Sequence, residues 1–141
     1  MQPHHRASLA RQICRAAAAF ALSATTPTFA DDYQHITDAA YCAGVVAKNI
    51  TLNKGQLNVT IPGDGANLLR LHTIVQGAQK LRKVDTQTTN RLFLLGQHDA
   101  QLCWDTFTGC LDDALKNSDG DKINACVTLS EPMCKGTRSC G

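Results

Sequence analysis

Apolar residues recur along this chain at the three-to-four-residue interval of helix faces, in four successive blocks. The first, residues 31–53, puts Tyr33, Ile36, Ala39, Ala40, Ala43, Val46, Ala47 and Ile50 on one broad face, with Cys42 beside it. Thr37-Asp38 is read as a late cap, and Asn53-Lys54-Gly55 predicts a left-handed stop. Residues 56–61 alternate polar and apolar, a pattern read as an extended connector packed on the helices. It ends in the breaker Pro62-Gly63-Asp64-Gly65.

Asp64 is read as the cap of a second helix carrying Leu68, Leu71, Ile74, Val75, Ala78 and Leu81. Leu92 and Leu95 resume that stripe in the same frame. Residues 84–90, poor in helix formers, predict a bend within one long helix that Gly96 ends. Asp99 then caps the block with the cleanest period: Ala100, Cys103, Trp104, Phe107, Cys110, Leu111, Ala114 and Leu115, stopping near Asn117. Ser118, followed by Asp121, resembles a capping box. It opens a short last helix along Ile123, Cys126, Val127 and Ser130 that Pro132 ends, leaving a polar tail.

The first thirty residues read differently. Arg6, Arg11 and Arg15 precede an apolar run at 16–24, and Thr28-Phe29-Ala30 offers small residues at a cleavage position ahead of Asp31. The run is far shorter than the ~20 residues of a membrane span, so a cleaved export signal is expected at 1–30. A single domain is expected at 31–141. This changes the charge. Of 14 Lys and Arg, three leave with the signal, so 11 remain against 12 Asp and Glu. The slightly basic whole chain becomes a slightly acidic domain, which removes electrostatic support for a nucleic-acid partner.

It changes the cysteine count too. Seven cysteines become six when Cys14 is removed: Cys42, Cys103, Cys110, Cys126, Cys134 and Cys140. An even set in an exported chain implies up to three disulfides. Zinc would want cysteines two to four residues apart, and no such pair occurs in this set. Cys103 and Cys110 lie about 10.5 Å apart along a helix, beyond disulfide reach, so each must bind another element. Cys126 is within a turn's reach of Cys110. Cys42 is expected to join the 103–110 helix. The remaining pairing stays open between a closed tail, Cys134–Cys140, and a tail tied back to the helices.

Candidate chemistry is sparse. His98-Asp99 resembles the His-Asp pair of secreted phospholipases over two residues, without a glycine-rich calcium loop; a linker histidine and a helix cap account for both. Residues 117–121 begin like a calcium loop, but Lys122 stands where glycine is required and Thr128 where glutamate is required. His35, His72 and His98 share no spacing. Asn49-Ile50-Thr51 and Asn58-Val59-Thr60 match the N-glycosylation pattern, which beside a short alanine-rich signal reads as chance. Trp104 is expected in the core beside Cys103, with contact to a ligand or partner as the other reading.

The expected fold is all-α, a small disulfide-linked bundle of about four helices, periplasmic or secreted, with no cofactor. Three functions fit: a non-enzymatic protein that binds a protein partner, as an inhibitor or envelope factor; a carrier of a lipid or other small apolar ligand; and a secreted hydrolase. Saposins and plant lipid-transfer proteins follow the carrier plan, but their paired cysteines (Cys-x-x-Cys or adjacent) are missing here.

Overall fold

A computed structural model describes residues 29–140, the side chain of Phe29 excepted. The chain divides between Asp32 and Tyr33 into two units, and the second runs from Tyr33 onward. The expected export signal lies outside the described residues apart from its last two, which open the first helix.

Among the described residues four helices make the bundle: α1 (Phe29–Leu52), α2 (Asp64–Lys80), α3 (Thr86–Lys116) and α4 (Gly120–Arg138). A π-helical turn, Asn53–Leu57, extends α1, and no strand occurs among the described residues. The all-α class and the helix count match the periodicity. Several boundaries do not.

The alanine face of α1 is the centre of the core. Ala39, Ala40, Ala43 and Val46 pack with Leu71 and Val75 of α2, with Leu92 and Phe93 of α3 alongside. Thr37 and Asp38 cap nothing: the Thr37 hydroxyl donates to the Gln34 carbonyl, and Asp38 accepts from the Gln34 amide. The left-handed residue after α1 is Asn58, φ 52°, whose N–H reaches the Asn53 carbonyl. It lies beyond the Asn53-Lys54-Gly55 cluster where a stop was expected. Leu57, Val59 and Ile61 are exposed, so the connector is not packed down on the helices.

The expected bend at 84–90 is a complete break centred just before it. Arg82 takes φ 55°, its N–H reaches the Gln79 carbonyl, and the Lys83 N–H reaches Ala78. These paired bonds are a Schellman stop. Val84 then buries with Ile36 and Ala78. Asp85 restarts the chain as the N-cap of α3, its carboxylate accepting from the Thr88 N–H at 2.7 Å and the Thr88 hydroxyl at 2.6 Å. Those bonds, the hydroxyl's first, hold the Asp85 carboxyl below its ordinary pKa.

Gly96, expected to end a helix, lies inside α3 and is buried. A Cβ on it would sit 2.1 Å from the Tyr41 carbonyl oxygen, and one on Gly44 would sit 1.9 Å from that of Phe93. Here α1 and α3 meet backbone to backbone, and only glycine on both sides allows it. The helix therefore runs on through His98 and Asp99, and Asp99 is not a cap.

Pro132, also expected to end a helix, lies inside α4. A proline there deletes a backbone bond at a cost of about 3 kcal/mol or more. On either side of it, Cys126 bonds Cys110 and Cys134 bonds Cys103. These rungs clamp α4 to α3 across the defect, seven residues apart on one helix and eight on the other. The third bond is Cys42–Cys140. This corrects the expected link from Cys42 to the 103–110 helix and excludes a closed Cys134–Cys140 tail; the tail returns to the helices. The Asn67 amide of α2 also donates to the Cys140 carbonyl at 3.3 Å.

Two outcomes follow. Trypsin without reductant separates Cys42 from Cys103 and Cys110, which share the peptide ending at Lys116. Mass spectrometry should find the Cys42 peptide joined only to the fragment holding Cys140; a link from Cys42 to Cys103 or Cys110 would refute the connectivity. Gly96→Ala should destabilise by about 2 kcal/mol or more, as overpacking of a tight contact does. Gly109→Ala in the same helix, where a Cβ meets nothing within 4 Å, should stabilise by roughly 0.5–1 kcal/mol. Urea unfolding compares the two.

Candidate functional site

The α3–α4 pair carries an open groove of about 220 Å³. From α3 come Ala100, Cys103, Trp104 and Phe107, one helix face at i, i+3, i+4 and i+7. From α4 come Val127, Ser130, Cys134, Thr137 and Arg138, and α1 adds Asn49. The Cys103–Cys134 disulfide is part of the lining and fixes the spacing of the walls. Trp104 and Phe107 are half-buried, and Val127 keeps 54% of its surface exposed.

Three of the polar side chains of the groove are engaged. The Ser130 hydroxyl donates to the Cys126 carbonyl and the Thr137 hydroxyl to that of Cys134, each at 2.8 Å. Arg138 pairs with Glu131. No carboxylate, imidazole or free thiol is in the lining. Such a surface can take up an apolar group; it holds no nucleophile with a base beside it.

No protein-family model, curated protein or solved structure matches the chain.

The six cysteines of the expected disulfide set are all paired. Trp104 belongs to the groove wall. Phe107 follows it at i+3 on the same face, a clue the sequence offered. Thr137 and Arg138 were missed because Pro132 was read as the end of α4. The remaining candidates are not brought together. His35 and His98 are exposed, and His72 sits on α2 with its ring centroid 5.8 Å from that of Phe93. Among the described residues no three His, Cys, Asp or Glu side chains form a metal-sized group. The calcium-loop-like residues have structural duties. Ser118 takes the left-handed position of a second Schellman stop, φ 50°. Asp119 caps α4 by accepting from the Lys122 N–H. The Lys122 ammonium bonds Asp113, the main reason that carboxyl stays below its ordinary pKa.

His98 and Asp99 diverge, as neighbours on a helix must. His98 faces out; Asp99 accepts a 2.7 Å bond from the Tyr41 hydroxyl of α1. Burial, then this hydrogen bond, then the charge of Asp99 push the Tyr41 phenol from its ordinary 10.0 up to about 12. A raised pKa favours the protonated phenol, so its contribution to stability is complete below pH 10.0 and is lost as pH rises toward about 12. In a Tyr33→Phe background, phenolate absorbance should appear near pH 12. Asp99→Asn should lower that midpoint only part of the way to 10.0, because burial, the largest cause, remains. A midpoint at 10.0 in the parent would refute the pairing.

Proposed function

We propose that the protein is exported to the periplasm or the cell exterior and acts there without catalysis. It binds a protein partner, as an inhibitor or envelope factor does, and its Trp104 groove receives an apolar side chain of that partner. The observation that carries this reading is an aromatic wall, Trp104 and Phe107, left open at the surface on a frame held by two disulfides. Half-exposed aromatic anchors on rigid supports are the residues on which interface energy concentrates. Three disulfides suit an oxidising compartment. No helix among the described residues is long and apolar enough to cross a membrane.

The second reading is a carrier of a lipid or other small apolar ligand. The groove's apolar lining favours it, but about 220 Å³ is below the roughly 300–1,000 Å³ of typical small-molecule sites. A hydrolase is third, since the groove presents no acid–base pair.

A photo-crosslinking residue at Val127, compared with one at exposed Thr73 on α2, tests the first reading in the native host. A discrete protein adduct at 127 and none at 73 is expected. Native mass spectrometry of the same preparation reads the alternative: a retained apolar molecule with no protein adduct would replace the partner reading with the carrier.

A further inference from the structure

We propose that α3 also pairs with a second copy of this chain, antiparallel, through its outward face around His98. Leu94, Leu95 and Leu102 are 63%, 48% and 41% exposed, and Arg91, His98 and Asp105 are exposed with them. At 100° per residue, all six fall within about 60° of His98. They make one stripe along an α-helix whose opposite side is in the core. Trp104 lies about 120° round the helix, so its groove stays open in such a dimer.

The charge pattern selects the occupant. Arg91 lies seven residues before His98 and Asp105 seven after it, with the leucines between. A two-fold axis through His98 puts residue 98 − k opposite residue 98 + k. Arg91 of each copy then meets Asp105 of the other, Leu94 meets Leu102, and Leu95 lies over Gln101. An isologous interface requires this self-complementarity, and a parallel arrangement would set like charges together. Arg91 has no ion-pair partner among the described residues, and Asp105 is engaged only by the amide of Gln101, one turn away on its own helix. A single helix pair buries less than the ~800 Å² per partner of a standard interface, so the dimer should be weak, with a Kd on the order of micromolar.

Sedimentation equilibrium of the disulfide-intact protein over a wide concentration range tests this, with circular dichroism as the check on folding. The parent should pass from monomer to dimer. Leu95→Glu should leave it monomeric throughout. Arg91→Glu or Asp105→Arg alone replaces two attractions with two repulsions by symmetry and should raise Kd by about tenfold or more. The double variant Arg91→Glu/Asp105→Arg restores opposite charges and should recover most of that loss. A parent that stays monomeric overturns the proposal, as does a dimer indifferent to Leu95→Glu, or a double variant no better than the singles.

Discussion

Everything in this bundle is arranged around one contact, the crossing of α1 and α3 at Gly44 and Gly96. Both helices come so close there that a single methyl group on either would strike the carbonyl oxygen of the other. The rest of α1 is built to match, with Ala39, Ala40 and Ala43 giving a shallow face that lets α2 approach as well. Small residues bury little apolar area each, roughly 25 cal/mol per Å² removed from water. A core made from them gains more from many close atomic contacts than from large side chains. It also needs its helices held in register, and two disulfides do that between α3 and α4.

The helical class, the number of helices and the presence of disulfides were legible because they follow from period and cysteine count. The cuts between helices were not, for three physical reasons. The stop after α2 uses Arg82 in a left-handed conformation, a position that glycine or asparagine usually marks. Gly96 carries the usual signature of a stop yet serves a contact with a segment some fifty positions earlier in the chain, a relation local sequence does not display. Pro132 breaks helices that stand alone, and α4 is clamped on both sides of it. Reading Gly96 as a stop placed Asp99 at a helix end, where it read as a cap, when it is the partner of Tyr41.

The Trp104 groove was half legible. Trp104 and Cys103 identified the right face of α3, and that face continues to Phe107. Its opposite wall depended on α4 running past Pro132, so Thr137 and Arg138 were invisible to periodicity. Ser130 and Thr137 are occupied with backbone carbonyls and Arg138 with Glu131 beside the groove, and its character is set by the apolar side chains between them. In the other candidate motifs, Asp119 is a helix cap, the Ser118 backbone a helix stop, and Asp99 the acceptor of the Tyr41 hydroxyl. The chemistry of this chain is directed mostly inward.

The disulfides have one further property: they are nested. Cys110–Cys126 lies inside Cys103–Cys134, which lies inside Cys42–Cys140. A polypeptide is made from its N-terminal end, so the first two of these thiols to appear are Cys42 and Cys103, which are not partners. Cys42 must wait for Cys140, the last of the six. Correct closure proceeds from the innermost loop outward, in the order in which Cys126, Cys134 and Cys140 are made, so any bond formed before Cys126 is made joins wrong partners. Correct pairing of the six therefore depends on the time the Cys42 thiol stays reduced, or on thiol–disulfide exchange that undoes early mispairing.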